Sequence, residues 1–358
     1  MVTQNRGVVK LAVGKAGVKP IPIPTLRPDY ILVKTIAVAL NPTDWQTVDE
    51  NFTFEAKQTL LGCDAAGIVV EVGENVTKDF KPGDRVAGMA HGGNDVQPED
   101  GTFANFILLK GDITIRIPDN ISFEEASTLS GGIATVALCL YRDLEYPLPT
   151  FPLAKSPAKS NEDSHFLFIY GGSTATGTLA IQFAKLSGLT VITTASPHNF
   201  ELLKKLGADH VFDYRDPQCG SKISSLTPNT LHHVLDTIAT PTSAQICADA
   251  LSSSPGGLYV NLMDTPNPRQ DVKSIFPLGY TVMGEEFVIE GVTWPASKED
   301  FELTKKFISL TEKLLEAEVI KGHPVSLRVG GLDGVLGGMQ ELKEGKVSGV
   351  KLVYRVDS

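Results

Sequence analysis

A glycine-rich turn between a buried strand and a helix is the feature of this sequence most able to do chemistry. The apolar run Phe166–Tyr170 precedes residues 171–177, which read Gly-Gly-Ser-Thr-Ala-Thr-Gly, and an apolar helical pattern follows over 179–186. In this arrangement backbone N–H groups and the helix N-terminus can hold a pyrophosphate. Glycines also serve ordinary tight turns, so the surrounding sequence must decide how specific the signal is.

The residues after the next strand indicate which dinucleotide the turn suits. In NAD-specific sites a carboxylate about 20 residues past the turn binds the ribose 2′-hydroxyl. Here the strand over 190–194 is followed by Ala195, Ser196, Pro197, His198 and Asn199, with no acid. Ser196, His198 and Asn199 can donate to a 2′-phosphate, which favours NADP over NAD. The alternative is a turn that caps the following helix.

Further polar groups surround the same turn. Ser173, Thr174 and Thr176 provide a second set of donors, with N-capping of the next helix as their alternative role. Tyr214 comes just after the next predicted strand, over 210–212. There its ring would either flank an adenosine or pack at the strand end.

Charge and composition exclude several function classes. The 42 acidic residues outnumber the 32 basic ones, and a net charge of −10 without a basic cluster disfavours nucleic acid as a partner. No apolar run is long enough for a bilayer and the first residues do not resemble a signal peptide, so we expect no membrane partner and a cytoplasmic location. The four cysteines are scattered, which indicates neither a disulfide framework nor a cysteine-rich zinc site.

The elements that must position these groups fall into two patterns. Short β-branched strands bounded by Gly and Pro are predicted over 30–40, 67–72, 85–88 and 102–109. Beyond a proline-rich loop between 143 and 164, strands and helices alternate, which predicts a parallel, doubly wound sheet. From about residue 323 the sequence predicts a strand, a helix over about 332–343 and a final strand over 351–356. We expect these three elements to fold back onto the first domain. Ser122, with Glu125 three residues on, predicts a helix start.

The chain as a whole resembles the zinc-free branch of the medium-chain dehydrogenase/reductase superfamily. Matching segments occur in the expected order at residues 39–44, 61–67, 81–86, 101–104 and 206–213. Narrower matches to the trans-acting enoyl reductases of fungal polyketide synthesis lie at residues 170–176, 196–199, 212–215, 293–295 and 347–351. The resemblance implies an α/β protein with a GroES-like, mostly β catalytic domain over 1–130 and 320–358. A Rossmann NADP-binding domain would cover 131–319.

The positions that bind zinc elsewhere in the superfamily are altered here. Zinc-dependent members carry a cysteine shortly after the Asn-Pro segment and a His-Glu pair farther on. In this chain no cysteine follows Asp44 closely, Cys63 and Asp64 replace the pair, and the loop over 89–101 has no cysteine. Two candidate ligands fall short of three plus water, so we predict no metal. We interpret His91 as a solvated loop histidine.

The resemblance also implies which residues form the site. The cofactor would contact Thr43, Asp44, Trp45, Gln46, Ser173, Thr174, Ala175, Thr176, Ser196, Pro197, His198, Asn199, Tyr214, Leu262, Met263, Val347 and Ser348. The acyl substrate would lie along Thr135, Val136, Ala137, Leu138, Cys139, Leu140, Tyr141, Arg142, Thr281, Val282, Met283, Gly284 and Glu285. A core helix and a strand end are the alternatives for the two substrate segments, and a solvated carboxylate is the alternative for Glu285.

The implied activity is NADPH-dependent reduction of the α,β-double bond of an enoyl thioester. The substrate would be a polyketide held on the acyl carrier protein of a polyketide synthase or PKS-NRPS megasynthase, and the reductase is expected to be a monomer. Related sequences often carry lysine where this chain has Gln46, whose amide cannot deliver a proton, so no catalytic acid is assigned. The alternatives are a free-standing quinone or alkenal reductase and a non-catalytic NADPH-binding subunit.

Overall fold

The computed structural model describes residues 5–49, 58–153 and 166–356. The chain divides into two compact units. The first unit comprises Met1–Gly131 and Tyr280–Ser358, and the second comprises Gly132–Gly279. Within the described ranges, no helix combines the length and the apolar character needed to cross a membrane.

The regular elements follow one another in chain order. The strands are β1 (Asn5–Ala12), β2 (Lys15–Ile21), β3 (Tyr30–Ala39), β4 (Thr59–Leu60), β5 (Asp64–Val72), β6 (Arg85–Met89), β7 (Phe106–Lys110), β8 (Ile115–Arg116), β9 (Phe166–Tyr170), β10 (Thr190–Ala195), β11 (His210–Asp213), β12 (His233–Asp236), β13 (Leu258–Asn261), β14 (Lys273–Ile275), β15 (Phe287–Ile289), β16 (Val292–Trp294), β17 (Val325–Arg328) and β18 (Lys351–Arg355). The α-helices are α1 (Pro42–Asp49), α2 (Phe123–Ala126), α3 (Ser130–Val136), α4 (Ala175–Leu186), α5 (Phe200–Lys205), α6 (Cys219–Leu226), α7 (Pro241–Ala250), α8 (Lys298–Glu316) and α9 (Gly331–Lys343). A π-helical segment covers Ala137–Asp143, and short 3₁₀ turns cover Gly111–Ile113, Pro197–Asn199 and Gly279–Met283.

The first unit is built on a largely antiparallel sheet. Its order is β17-β18-β3-β5-β6-β8, with β7 also paired to β3, and a smaller sheet has the order β2-β1-β4. Ile31, Val33, Leu61, Phe103 and Ile107 belong to one buried core in this unit. The predicted strands over 30–40, 67–72 and 85–88 are confirmed, whereas of 102–109 only the part from Phe106 onward is strand.

The end of the chain completes the first unit. The last strand, β18, pairs antiparallel with β3, placing Val353 opposite Ala39. Leu332 and Val335 of α9 are buried in the same core as the strands. The prediction that the final strand and helix fold back onto the first domain is confirmed.

Residues 280–319 belong to the first unit, whereas the predicted boundary places them in the cofactor domain. In this segment α8 contacts β8 and the turn Gly111–Ile113. Ion pairs reinforce the contact: Lys78 Nζ lies 2.6 Å from Glu312 Oε1 and Lys305 Nζ lies 3.1 Å from Asp112 Oδ2. The amphipathic pattern of a helix indicates that one face is buried but not which sheet buries it, so the sequence could not place this boundary.

The second unit contains a six-stranded sheet of order β11-β10-β9-β12-β13-β14. Every pairing in it is parallel. Numbered along the chain from β9, the order is 3-2-1-4-5-6, the Rossmann arrangement, in which the order reverses between β9 and β12. Leu167, Phe168 and Ile169 of β9 are fully buried, as expected for a central parallel strand. The predicted doubly wound sheet is confirmed.

Local predictions near the unit boundary have mixed outcomes. Ser122 caps α2, its Oγ accepting a hydrogen bond from Glu125 N at 3.1 Å, as predicted. In the proline-rich stretch, residues 145–153 carry no helix or strand, and residues 154–165 lie outside the described part of the chain.

Candidate cofactor and substrate site

Most of the predicted cofactor residues follow strand ends of the parallel sheet in the second unit. Residues 173–176 come after β9, residues 196–199 after β10, Tyr214 after β11, and Leu262 and Met263 after β13. The carboxyl ends of parallel strands share one edge of the sheet, where ligands of this fold bind beside the point of reversed strand order. The second unit therefore brings these segments to one edge.

The glycine turn is held closely against the neighbouring strand. Gly171 N donates to Thr194 Oγ1 at 3.1 Å, and Gly172 N donates to Thr194 O at 2.9 Å. A Cβ at Gly177 would lie 2.4 Å from Gly171 O, closer than real Cβ contacts. The start of α4 can approach the turn this closely only because residue 177 is glycine.

The turn leaves backbone donors open at the start of α4. No hydrogen bond found in the described part of the chain uses the N–H groups of Ser173, Ala175 or Thr176. All three residues are partly exposed. Because the helix N-terminus also carries partial positive charge, these donors suit a phosphate group.

The three hydroxyls of the turn have different roles. Thr174 Oγ1 accepts from Gly177 N at 2.9 Å and donates to Thr237 Oγ1 at 3.0 Å, so Thr174 is the N-cap of α4. The hydroxyls of Ser173 and Thr176 make no such contact with described residues. Thr174 thus takes the capping role, and all three residues stay predicted cofactor contacts.

The ends of β10 and β11 place hydroxyl groups side by side. Ser196 Oγ donates to Tyr214 Oη at 3.5 Å and does not cap the turn Pro197–Asn199. Tyr214 is 39% exposed, and its ring lies 6.3 Å from that of Tyr170. Tyr214 therefore packs at the strand end and still exposes part of its ring. The Ser196 side chain does not cap the following helix, so that alternative does not apply to it.

An acidic residue does occur at the end of the neighbouring strand. Asp213 ends β11, and the Arg215 guanidinium donates to both of its carboxylate oxygens, at 2.9 Å and 2.8 Å. These hydrogen bonds lower the pKa of Asp213. The negative charge of Asp213 is thus paired with the Arg215 guanidinium two residues farther on.

The first predicted substrate segment is mostly core. Residues 136–141 are buried, and Tyr141 Oη lies 3.2 Å from Ser187 Oγ. Only Thr135 and Arg142 are partly exposed, and the Arg142 guanidinium is bound to both carboxylate oxygens of Asp143. The π-helical winding of Ala137–Asp143 begins directly after α3. The burial of residues 136–141 agrees with the core-helix alternative, and contact of the segment 135–142 with the substrate stays a prediction.

In the first unit, α1 carries four predicted cofactor residues. Thr43 is exposed, Trp45 packs against the core, and Gln46 is buried. Asp44 Oδ2 accepts from Asn41 N at 2.6 Å, and burial raises the pKa of Asp44 to about 7. Its Oδ1 is buried with no hydrogen-bond partner in the described ranges.

Two further predicted cofactor residues follow α9 in the same unit. Val347 packs against the core that also holds Trp45, and Ser348 is exposed. The first unit therefore brings Trp45 and Val347 onto one core.

A buried ion-pair network, which the sequence did not indicate, lies beside α1. Lys351 Nζ is 2.6 Å from Asp64 Oδ2, and the two side chains are 4% and 0% exposed. Asn41 Nδ2 donates to Asp64 Oδ2 at 2.9 Å, and Lys351 Nζ donates to Asn41 Oδ1 at 3.0 Å. Gly131 N donates to Asp64 Oδ1 at 2.7 Å. The local signal is a lysine directly before the apolar residues Leu352 and Val353 of the final strand.

Cys63 and His91 lie in a second buried cluster. Cys63 Sγ is 3.4 Å from Tyr280 Oη and 3.6 Å from Thr43 Oγ1, and burial raises the pKa of the thiol to about 12. His91 stacks on Tyr280 with ring centroids 3.6 Å apart, and Phe287 meets it edge-on. The interpretation of His91 as solvated is wrong: it is 7% exposed, because the segment from Tyr280 onward covers the loop. Burial lowers the pKa of His91 to about 3.

Cys63 and Asp64, the two candidate zinc ligands, do not belong to a cluster of metal-ligating side chains among the described residues. Among the residues that the structure describes, no set of three or more His, Cys, Asp or Glu side chains is arranged to hold a metal ion. Cys63 and Asp64 instead have the partners just described. That the chain uses no zinc stays a prediction.

The second predicted substrate segment is anchored by charge. Val282 and Met283 are buried. Glu285 Oε1 accepts from Tyr30 Oη at 2.8 Å and from Lys110 Nζ at 2.6 Å. Glu285 is therefore a carboxylate that is 34% exposed and ion-paired, and it is not solvated alone.

Comparisons with known proteins decide the family. Residues 27–119 match the family described as alcohol dehydrogenase GroES-like domain, and residues 175–309 match the one described as zinc-binding dehydrogenase. The chain is 49% identical to the trans-enoyl reductase ACTTS2 of Alternaria alternata, over 99% of both chains. It is 44% identical to the trans-enoyl reductase resD of Aspergillus sclerotiorum, over 98% of this chain and 100% of that one. The chain belongs to the trans-enoyl reductases.

Membership of this family confirms the predicted medium-chain dehydrogenase/reductase assignment and makes the chain an oxidoreductase with a nicotinamide cofactor. Among solved structures, the CurK enoyl reductase matches with a TM-score of 0.74 and 19% identity over 99% of both chains. At that identity the likeness concerns the fold alone, and it confirms the GroES-like and Rossmann architecture.

Proposed function

We propose that this trans-enoyl reductase uses NADPH to reduce the α,β-double bond of a polyketide thioester bound to an acyl carrier protein. The observation that carries the proposal is a Rossmann sheet edge with open N–H donors at Ser173, Ala175 and Thr176, in a chain 49% identical to a trans-enoyl reductase. The carrier protein would belong to a polyketide synthase or PKS-NRPS megasynthase. We propose that the reductase itself is a monomer in the cytoplasm.

The residues at the sheet edge fit a dinucleotide phosphate. The close approach at Gly177 and the open N–H groups of residues 173–176 suit a pyrophosphate. Ser196, Tyr214 and the exposed His198 would surround a 2′-phosphate, since no acid follows β10 to repel it. When bound, the nicotinamide supplies the hydride for the β-carbon of the enoyl thioester.

The protein's own contribution is orientation and electrostatic stabilisation of the enolate. Gln46 is buried in α1, and its amide can donate a hydrogen bond to an oxygen but no proton. Asp44 is also buried, with Oδ2 held by Asn41 N. Because the Gln46 amide supplies no proton, we propose water as the source of the proton that the α-carbon takes.

The test is reduction of enoyl thioesters by the purified chain. Crotonyl and longer 2-enoyl pantetheine thioesters are offered with NADPH or NADH, and simple quinones serve as competing acceptors. We expect turnover of thioesters on one face of the double bond and a preference for NADPH of about tenfold or more, equivalent to about 1.4 kcal/mol. Faster turnover of quinones would favour the quinone or alkenal reductase, and tight NADPH binding without hydride transfer to any acceptor would favour the non-catalytic subunit.

A further inference from the structure

We propose that Thr237 is a positioning residue for the cofactor. It follows β12, the strand beside β9 at the point where the strand order reverses, and from there it fixes the glycine turn. The inference rests on the proposed function in one respect, namely that the turn holds the cofactor's pyrophosphate. Thr237 was not among the residues predicted from the sequence.

Thr237 directly follows β12, which pairs with β9 so that Asp236 is opposite Tyr170. Its Oγ1 lies 2.9 Å from Tyr170 O and 3.0 Å from Gly171 O. A hydroxyl has one proton to donate, so these two carbonyls share it. The end of β9 and the first residue of the turn are thereby tied to β12.

The same hydroxyl also reaches the start of the helix. Thr174 Oγ1 donates to Thr237 Oγ1 at 3.0 Å while accepting from Gly177 N at 2.9 Å. The hydrogen bonds thus run in one direction, from Gly177 through Thr174 and Thr237 to the carbonyls of the turn. This series of hydrogen bonds ties the first residue of the turn, Gly171, to its last, Gly177. It thereby sets the spacing of the N–H groups between them.

Thr237 is itself held rigidly. Asp236 is fully buried, and its Oδ1 accepts from Ile238 N at 2.9 Å and from Ala239 N at 2.8 Å. Its Oδ2 accepts from Tyr259 Oη at 2.8 Å. The backbone on both sides of Thr237 is therefore fixed before a ligand arrives.

Removing the hydroxyl leaves the backbone paired. Tyr170 O also accepts from Thr237 N at 3.1 Å, and Gly171 O also accepts from Thr174 N at 3.0 Å. Valine has nearly the same shape as threonine, so Thr237→Val removes the closure of the turn without leaving a buried carbonyl unpaired. The expected consequence is a looser ligand site in a folded protein.

The experiment measures the dissociation constants of NADPH and NADH by titration calorimetry on the full chain. Thr237→Val should weaken both cofactors by the same factor, about tenfold, because the pyrophosphate is common to them. The KM for NADPH should rise while kcat at saturation stays unchanged, and Thr237→Ser should restore affinity to within about twofold. The matched control is Thr227→Val, whose fully buried hydroxyl donates to Ile223 O at 3.1 Å in the same unit and whose loss should leave both affinities unchanged.

Unchanged affinity in Thr237→Val overturns the inference, as does an equal loss in Thr227→Val or a failure of Thr237→Ser to restore binding. A wild-type chain that binds NADPH but reduces no enoyl thioester overturns the proposed function alone, because the Thr237 variants still report on the turn. A wild-type chain that binds neither cofactor overturns both.

Discussion

The glycine turn of the second unit and the ion-pair network of the first unit treat their polar groups in opposite ways. In the turn, the N–H groups of Ser173, Ala175 and Thr176 point to no acceptor within the described residues. In the network, Asp64 receives hydrogen bonds from three groups, and both charged side chains are almost fully buried. Open donors at a sheet edge are free to bind a ligand, whereas the saturated network ties β5 and β18 to Asn41, the residue before α1.

The largest expected effect comes from breaking the network. Lys351→Met leaves the Asp64 carboxylate buried without its cation, which should lower the free energy of unfolding by about 3–5 kcal/mol. Urea denaturation measures the loss. The control is Lys343→Met, whose 2.7 Å pair with Asp49 is partly exposed and should cost no more than about 1 kcal/mol. Equal losses in the two variants would show that the buried network has no special role.

The next effect concerns the turn itself. Gly177→Ala places a Cβ 2.4 Å from Gly171 O, and the strain, about 1–3 kcal/mol, should displace the open N–H groups. We expect NADPH affinity to fall by about 5- to 150-fold, as measured by calorimetry. Gly337→Ala in α9 is the matched control, since nothing lies within 4 Å of its Cβ position. An unchanged dissociation constant in Gly177→Ala would mean that the turn does not contact the cofactor.

A separate effect is a dependence of stability on pH that arises in the first unit. The pKa of His91 is about 3 in the folded chain, below its ordinary value of 6.5, so the unfolded state binds the proton first. The contribution of His91 to the free energy of unfolding is complete above pH 6.5. It declines by about 1.4 kcal/mol per pH unit as the pH falls toward 3. Asp44, with its pKa raised to about 7, acts in the opposite sense and loses its contribution as the pH rises toward 7.

The variant His91→Phe separates these two groups. It keeps an aromatic ring against Tyr280 but cannot titrate, so its unfolding free energy should fall less between pH 6.5 and 4 than that of the wild type. Urea denaturation at several pH values gives both slopes. Identical slopes would show that His91 is protonated in the folded chain as readily as in the unfolded one.

The smallest effect concerns the choice between the two cofactors. Ser196→Ala removes the hydroxyl that faces Tyr214 Oη and should weaken NADPH binding by about threefold to tenfold, the effect of one ordinary hydrogen bond at a partly exposed site. NADH, which lacks the 2′-phosphate, should bind as before. Alanine replacement of Ser173 and Thr176 should instead weaken both cofactors and leave the fold intact. Loss of NADH affinity in Ser196→Ala would place Ser196 away from the 2′-phosphate.

The two regions also differ in how far the sequence predicts them. The turn and Ser196 each follow directly from a strand end, so local pattern and strand order suffice to bring them together. Lys351 and Asp64 are 287 positions apart, and His91 is covered by Tyr280, so only the folded chain reveals these partners. For the same reason residues 280–319 could not be assigned to the first unit.

Within the turn, residue type alone could not distinguish equivalent hydroxyls. Ser173, Thr174 and Thr176 look alike as donors in the sequence, and only geometry shows that Thr174 caps α4 and bonds to Thr237. Thr237 itself comes after the sequence Val-Leu-Asp at the end of β12. A polar residue next to the point of reversed strand order is the signal that could have found it.

The most direct test of the proposed reaction follows the two added hydrogens into the product. The chain is incubated with a carrier-protein-bound enoyl thioester and NADPH deuterated at nicotinamide C4, and separately with unlabelled NADPH in D₂O. We expect one deuterium at the β-carbon, on a single face, in the first reaction and one deuterium at the α-carbon in the second. Two results would show that this chain is not an NADPH-dependent enoyl reductase. One is NADPH oxidation without label at the β-carbon, and the other is an enoyl thioester left unchanged while NADPH stays bound.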